Sequence, residues 1–244
     1  CGMAKVNTIL QGDVIERLQD IEDNTIQCVV TSPPYWGLRD YGEEDQLGLE
    51  ETPEEYVENM VNVFREVRRA LKDDGTLWLN LGDSYSSGGR STTTNQTLRG
   101  NNDYGVTRLK PSENIKPKDL IGIPWRVAFA LQQDGWYLRQ DIIWHKPNPM
   151  PESVTDRCTK SHEYIFLLTK SANYYYDAES IKEPAQNWGT RDRSNFRNGT
   201  KDKLLIHHGL KDANFAELGR NKRSVWKINT KPYKDAHFAV FPEK

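Results

Sequence analysis

The sequence predicts an α/β fold with a doubly wound, mostly parallel sheet, and three observations support this prediction. Short apolar runs that are typical of buried strands alternate along the chain with segments of helical periodicity. The segments between successive strands are long enough to cross over, as parallel pairing requires. The length of 244 residues suits one large hydrophobic core. We expect the last two strands to form an antiparallel hairpin at the edge of the sheet.

The amino-terminal part of the chain predicts a βαβ beginning. Residues 8–10 and 26–30 are short apolar runs bounded by polar turns, and each run predicts a buried strand. Residues 14–18 lie between these runs and predict a short helix. Cys28 belongs to the second run, and we expect it to face the buried side of the sheet.

A longer helix is predicted after Thr52-Pro53-Glu54-Glu55, which supplies an N-cap, a proline at the first helical position and a capping-box glutamate. Apolar side chains then recur at helical spacing, namely Tyr56, Met60, Val63, Phe64, Val67 and Leu71. Asp73-Asp74-Gly75 should stop the helix. Residues 76–81 follow as a predicted buried strand.

The middle of the chain begins with a polar stretch. Residues 86–118 are rich in Gly, Ser, Thr and Asn and predict a long mobile loop. A helix is predicted over residues 123–133, ended by Gly135. Residues 137–144 and 163–169 then predict the last two strands.

The composition excludes several classes of protein. The 36% hydrophobic and 28% charged residues suit a globular chain rather than a disordered one. No apolar run approaches the roughly 20 residues of a membrane span, and the amino terminus resembles no signal peptide, so we predict a cytoplasmic protein. The cysteines show no CxxC spacing and the histidines show no metal-ligand spacing. We therefore predict neither a disulfide framework nor a metal site.

The charge is distributed unevenly although the net charge is only −2. Residues 186–234 hold 12 Lys and Arg against 4 Asp and Glu, a balance of +8 that leaves −10 for the rest. This asymmetry favours an acidic catalytic body with a basic segment that faces nucleic acid. A solvated surface loop is the alternative interpretation.

The segment Thr31-Ser32-Pro33-Pro34-Tyr35-Trp36 directly follows a predicted strand, at the end where open α/β sheets bind ligands. Two consecutive prolines remove two N–H donors and fix φ, which gives a stiff turn with carbonyls in set directions. The Ser32 hydroxyl and the Pro33 carbonyl could each accept one N–H of a base amino group, which would free its lone pair to attack a methyl donor. Tyr35 and Trp36 offer flat faces on which an extruded base could stack. A rigid turn with an aromatic lid is the alternative.

This motif resembles that of the DNA amino-methyltransferases, which carry Asp-, Asn- or Ser-Pro-Pro-Tyr/Phe at this place and use S-adenosylmethionine. Further matches extend the resemblance over almost the whole chain: Gly12-Asp13, Leu71-Lys72-Asp73-Asp74-Gly75, Leu81-Gly82-Asp83-Ser84-Tyr85, Trp144-His145-Lys146-Pro147-Asn148 and His237-Phe238-Ala239-Val240-Phe241-Pro242. The resemblance implies a Rossmann-like methyltransferase fold of the beta-type motif order. It divides the chain into a catalytic core at 3–181, an inserted basic target-recognition segment at 182–234, and the start of a cofactor-binding portion at 235–244.

The resemblance also assigns roles to residues that match the motifs. The residues expected to hold the target base are Ser32, Pro33, Pro34 and Tyr35. Candidates for contacting the base or shaping its pocket are Trp36, Asn80 and Asp83, with capping of a helix or loop as the alternative for Asp83. The residues expected near the cofactor are Asp13, Thr31, His237, Phe241 and Pro242. The expected DNA-binding residues are Arg191, Arg193, Arg197, Lys201, Arg220, Lys222 and Arg223.

Serine at the first motif position is typical of N4-cytosine enzymes, whereas Asp or Asn is commoner in N6-adenine enzymes. We therefore expect transfer of a methyl group from S-adenosylmethionine to the 4-amino group of cytosine in a specific duplex DNA sequence, with adenine N6 as the alternative. C5 methylation would need a cysteine in a Pro-Cys turn, and neither Cys28 nor Cys158 has that setting.

Similar enzymes carry a glycine-rich cofactor loop after the stretch that matches residues 237–244, and this loop does not occur in the sequence. We therefore expect a fragment, or a chain completed by a second polypeptide or a missing C-terminal segment. A catalytically inactive DNA-binding subunit is a further alternative. The resemblance implies double-stranded DNA as a partner, a companion restriction endonuclease as a candidate partner, and a bacterial, archaeal or phage gene.

Overall fold

A computed structural model describes residues 7–38, 45–86, 115–184, 219–231 and 241. The described residues fall into two compact units, one within residues 1–175 and 224–244 and the other within residues 176–223. Most of the predicted loop at 86–118 and of the segment at 182–234 lies outside the described residues. The α/β elements belong to the first unit.

Among the residues that the structure describes, the first unit contains one sheet and three helices. The helices are α1 (Val14–Gln19), α2 (Pro53–Ala70) and α3 (Ile123–Gln133). The strands are β1 (Ile26–Thr31), β2 (Leu71–Leu81), β3 (Tyr137–His145), β4 (His162–Thr169) and β5 (Val225–Lys227). They lie in the order β1-β2-β4-β3-β5. The pairs β1–β2 and β3–β5 are parallel, whereas β2–β4 and β3–β4 are antiparallel.

The predicted α/β class is confirmed, but the sheet among the described residues is mixed and the hairpin is not at its edge. Strand β4 lies between β2 and β3, and β5 pairs with the outer side of β3. Residues 166–169 of β4 are buried, as suits an interior strand. Strand β5 was not predicted, because three residues inside a basic segment carry too short a pattern to be seen in the sequence.

The beginning of the chain differs from the prediction. Helix α1 is confirmed, and its N-cap is Asp13, whose carboxylate accepts from the backbone of Ile15 and Glu16. Residues 8–10 do not form a strand, and Ile9 is 94% exposed. No described strand lies beside them to pair with their backbone groups, so extended structure gains nothing there. Cys28 is exposed rather than buried.

Helix α2 is capped as predicted. The Thr52 hydroxyl accepts from the Glu55 backbone, and the Glu55 side chain accepts from the Thr52 backbone. Its apolar stripe is buried, from Tyr56 to Val67. The helix ends at Ala70, and the next residue, Leu71, is already extended. Asp73-Asp74-Gly75 therefore lies within β2 rather than stopping the helix.

All three helices contribute to one core on one face of the sheet. That core joins Leu77, Leu79 and Leu81 of β2 with Phe166 and Leu168 of β4. The opposite face carries exposed side chains of β1, including Val30, which is 63% exposed. A second helical layer, as a doubly wound sheet implies, does not occur among the residues that the structure describes.

The pairing brings three strand ends together. Thr31 at the end of β1 pairs with Leu79, and Leu81 at the end of β2 pairs with Tyr164 near the start of β4. The carboxyl ends of the parallel strands β1 and β2 and the amino end of the antiparallel strand β4 therefore lie side by side at the same end of the sheet. No helix in the described part of the chain is both long and apolar enough to cross a membrane.

Candidate active site

The turn after β1 is held from both sides. The Tyr56 hydroxyl donates to the Pro34 carbonyl at 2.9 Å, and the Gly37 backbone donates to the Gly48 carbonyl at 2.7 Å. None of the described residues donates to the Pro33 carbonyl, and Ser32 is exposed. The turn thus presents two acceptors that remain available while its backbone is fixed.

Tyr35 turns back under the site and places its hydroxyl among three oxygen atoms. The Ser32 hydroxyl donates to it at 3.1 Å. The Tyr35 hydroxyl lies 3.0 Å from the amide oxygen of Asn80 and 3.0 Å from Oε2 of Glu163. The amide nitrogen of Asn80 donates to the Tyr164 carbonyl at 3.0 Å, which turns its oxygen toward Tyr35. The sequence-predicted residues Ser32, Tyr35 and Asn80 are therefore in one network.

Two members of this network were missed from the sequence. Glu163, at the start of β4, bonds to Tyr35 through Oε2 and to the ammonium of Lys146 through Oε1. Lys146 follows β3, and its ammonium lies 4.4 Å from the centre of the Trp144 ring. The available signal was a glutamate at the head of an otherwise apolar strand, together with the Trp-His-Lys match that had no assigned role.

The tyrosines of the site are kept protonated. Burial, followed by the negative charge of Glu163, raises the pKa of the Tyr35 hydroxyl well above its usual range. Burial and then the charge of Glu50 raise the pKa of Tyr56 likewise. Both hydroxyls therefore act as hydrogen-bond donors at neutral pH.

Asp83 is placed by the structure as a helix cap. Its Oδ1 atom accepts from the backbone of Ser84 at 2.9 Å, Gly122 at 2.9 Å and Ile123 at 3.1 Å. The last two groups open α3, whose own N-cap residue, Gly122, has no side chain for the task. Lys160 donates to the Asp83 carbonyl at 3.3 Å, and burial lowers the pKa of this lysine.

Trp36 does not offer a face for stacking, in contrast to the expectation from the sequence. Its side chain is 2% exposed and belongs to the core. Its indole N–H donates to the Glu50 carbonyl at 3.0 Å, which satisfies the one polar atom that burial would otherwise leave unpaired. Tyr35 is the partly buried aromatic residue of the turn.

Comparison with known proteins decides the family. A family model described as DNA methylase matches residues 26–244. The chain belongs to this family. This match confirms the resemblance seen in the sequence. S-adenosylmethionine is the methyl donor of the family to which the methylase belongs.

Relatives of the methylase share sequence over nearly its whole length. It is 52% identical to the type II methyltransferase M.SmaI of Serratia marcescens over 96% of this chain and 70% of the relative. It is 47% identical to the type II methyltransferase M.Cfr9I of Citrobacter freundii over 96% of this chain and 68% of the relative. The methylase is therefore similar over nearly its whole length to type II methyltransferases.

One solved structure supports the fold. The methylase is similar to the PvuII DNA methyltransferase, which is cytosine-N4-specific, with a TM-score of 0.53 and 16% identity over 92% of this chain and 58% of that chain. This likeness confirms the Rossmann-like methyltransferase fold and its α/β sheet.

Three of the five residues expected near the cofactor are described, namely Asp13, Thr31 and Phe241. One carboxylate oxygen of Asp13 caps α1, while the exposed apolar side chains of Leu10 and Val14 flank this residue in the sequence. Phe241 is 45% exposed and packs 6.5 Å from the ring centre of Trp144. Phe241 thus packs beside β3, whereas Asp13 precedes β1, and β2 and β4 lie between these two strands in the sheet. His237 and Pro242 lie outside the described residues.

The expected DNA-binding residues divide in the same way. Arg191, Arg193, Arg197 and Lys201 lie outside the described residues. Within the second unit, Arg220 and Arg223 approach the Glu183 carboxylate at 3.4 Å and 3.5 Å. Lys222 lies between these two arginines in an exposed stretch.

No group of His, Cys, Asp and Glu among the described residues could hold a metal ion.

Proposed function

We propose that this methylase transfers a methyl group from S-adenosylmethionine to the 4-amino group of cytosine in a specific sequence of duplex DNA. The observation that carries the proposal is the pair of acceptors on the turn, the Ser32 hydroxyl and the Pro33 carbonyl. The Ser32 hydrogen is committed to Tyr35, so the serine oxygen faces outward as an acceptor.

The two acceptors suit the two N–H groups of a base amino group. Accepting both hydrogens draws the nitrogen away from conjugation with the ring, so that its lone pair becomes available for direct attack. When bound, S-adenosylmethionine would supply an electrophilic methyl group on a positively charged sulfur. The N–CH₃ bond would form as the S–CH₃ bond breaks, S-adenosylhomocysteine would be the leaving group, and the amino nitrogen would lose one proton to water. The residues of the turn form no covalent bond with the base, and the rigid prolines keep the acceptors in place.

The choice of cytosine over adenine rests on the residue at the first position of the motif. Ser32 supplies a neutral hydroxyl. Serine at this position is typical of N4-cytosine enzymes, whereas Asp or Asn is commoner in N6-adenine enzymes. Adenine N6 stays the second candidate, because the two amino groups present the same pair of donors to the turn.

The remaining contacts are part of the same proposal. Asp13, Thr31 and Phe241, with His237 and Pro242, hold the methyl donor. The target-recognition segment at 182–234 binds DNA through the basic side chains Arg191, Arg193, Arg197, Lys201, Arg220, Lys222 and Arg223. The target base is extruded from the duplex and packs against Tyr35. A companion restriction endonuclease is a further proposed partner.

The test is to methylate DNA with the protein as its gene encodes it and to identify the modified nucleosides by mass spectrometry. We expect 4-methylcytosine, and we expect Ser32→Ala to lower its rate of formation by about 100-fold, as loss of one positioned polar group does in other enzymes. Formation of 6-methyladenine alone would overturn the choice of base. DNA binding without any methylation would favour an inactive DNA-binding subunit.

A further inference from the structure

We propose that Glu163, held by Lys146, orients the Ser32 hydroxyl through Tyr35, so that the serine presents only acceptor lone pairs to the target base. This inference rests on the proposed function and names two positioning residues for it. Neither residue touches the base. Their action depends on the direction in which hydrogen atoms run along the network.

The direction follows from the donors and acceptors around the Tyr35 hydroxyl. A phenol has one hydrogen to donate. The amide oxygen of Asn80 and the carboxylate oxygen of Glu163 are both acceptors, each 3.0 Å away. Tyr35 therefore donates to one of these two oxygens, and its own lone pair is left for Ser32, which donates at 3.1 Å. A serine hydroxyl whose hydrogen is used inward can only accept on its outward side.

Lys146 fixes which carboxylate oxygen serves Tyr35. Its ammonium bonds to Oε1 of Glu163, which leaves Oε2 for the tyrosine. The side chains of Lys146 and Glu163 are each 19% exposed, so neither bond is readily replaced by water. The Trp144 ring beneath the ammonium and the backbone bond from Lys146 to Ser161 hold the lysine in place. The network thus accounts for the sequence match at Trp144-His145-Lys146.

The same geometry predicts that replacing Glu163 by the equally large glutamine affects the reaction through hydrogen-bond direction and not through side-chain size. In Glu163→Gln, the ammonium of Lys146 can only donate, so it bonds to the amide oxygen of the glutamine. The amide NH₂ then faces Tyr35 and competes with Ser32 for the phenol lone pair. Ser32 can turn its hydrogen toward the base amino group, where a donor meets a donor. The single-turnover rate of methyl transfer should fall by about 10- to 100-fold, the worth of one hydrogen bond to a charged group.

A second substitution should reverse this loss. In Lys146→Met combined with Glu163→Gln, no ammonium claims the amide oxygen, so the glutamine can turn and present its oxygen to Tyr35. We expect the double variant to regain at least a third of the decrease in the logarithm of the single-turnover rate that Glu163→Gln causes. If the two substitutions instead damaged the structure independently, their effects on the logarithm of the rate would add, and the double variant would be slower than either single variant.

The experiment measures single-turnover methyl transfer and DNA affinity for the parent, both single variants and the double variant of the protein as its gene encodes it. The matched control is Glu66→Gln, which removes a carboxylate that is bonded to Arg69 on α2, away from the turn. We expect the control to keep the parent rate, and we expect all variants to bind DNA as the parent does.

The outcomes separate this inference from the proposed function. A parent that methylates DNA, with a Glu163→Gln variant at the parent rate or a double variant slower than both single variants, would overturn the inference alone. A parent that methylates neither cytosine nor adenine would overturn the proposed function, and the inference with it. Rescue in the double variant supports the inference whichever of the two bases is methylated.

Discussion

The ring of Tyr35 lies so close to Gly82 that a β-carbon at Gly82 would stand 2.5 Å from Cε2 and 2.8 Å from Cδ2 of the tyrosine. Gly82 follows β2, and its missing side chain is the space that the tyrosine ring occupies. Gly82→Ala must therefore displace the ring, and the hydroxyl with it. We expect a loss of about 1–3 kcal/mol in the free energy of unfolding, as overpacking costs, and a fall in methyl transfer of at least about 100-fold. Chemical denaturation and a radiolabelled methyl-transfer assay measure the two effects.

The control for this substitution is Gly135→Ala. Gly135 ends α3 with a φ of 101°, and its added β-carbon would meet no atom closer than 3.8 Å. Backbone strain should lower its stability by about 1 kcal/mol, while the activity per folded molecule stays at the parent value. Equal activity of the two alanine variants would show that the tyrosine ring does not need Gly82.

Asp83 should matter for stability through its oxygen rather than through its charge. Asp83→Asn keeps an acceptor for the backbone of Gly122 and Ile123, so we expect nearly the parent stability and activity. Asp83→Ala leaves the first turn of α3 without a cap and should cost about 1–2 kcal/mol in thermal or chemical unfolding. Asp13→Ala, at the exposed and shorter α1, should cost about 0.5 kcal/mol. A stable but inactive Asp83→Asn variant would instead show that the carboxylate contacts the base.

The parts of the fold that were predictable carry their signal locally. The capping box of Thr52 and Glu55 and the apolar stripe of α2 identify that helix without any tertiary information. The position of β4 was not predictable, because a strand's neighbours depend on pairings between residues far apart in the chain, such as Leu81 with Tyr164. Residues 8–10 carried an apolar pattern but have no described partner strand.

The same distinction applies to the site. The turn from Ser32 to Tyr35 is contiguous, so its rigidity and its two acceptors could be derived from the sequence. Glu163 is 128 residues from Tyr35 and reaches it only because β4 begins where β2 ends. Trp36 shows the opposite error, since an aromatic residue beside the motif suggested a stacking face although its ring fills the core.

Tyr56 should support the turn through its hydroxyl. It is fully buried, and its hydroxyl donates to the Pro34 carbonyl at 2.9 Å. Tyr56→Phe leaves that carbonyl without its donor, so we expect a loss of about 1 kcal/mol in chemical denaturation. The fall in methyl transfer should be smaller than for Tyr35→Phe, because Ser32 keeps its acceptor. Tyr137→Phe, on an exposed ring, is the matched control and should change neither quantity. A larger fall for Tyr56→Phe than for Tyr35→Phe would contradict this ranking.

His162 should make the methylase less stable in acid. Burial, and then the positive charges of Lys160 and His145, lower the pKa of its imidazole below the ordinary value of about 6.5. Above that pH the imidazole is neutral in both the folded and the unfolded chain and contributes nothing. As the pH falls through 6.5 the unfolded chain takes up the proton first, so stability declines until the folded imidazole is also protonated.

Replacing His162 with Gln should remove this decline. The difference in the free energy of unfolding between His162→Gln and the parent should be constant above about pH 7.5 and should shift in favour of the variant below about pH 6.5. Urea denaturation at a series of pH values measures it, and the effects of other titrating groups cancel in the difference. Because burial is the largest cause, the shift should persist in about 1 M salt, which screens Lys160 and His145. A difference that vanishes in high salt would assign the effect to those two charges, and a difference that is constant at every pH would exclude His162 as a cause of acid sensitivity.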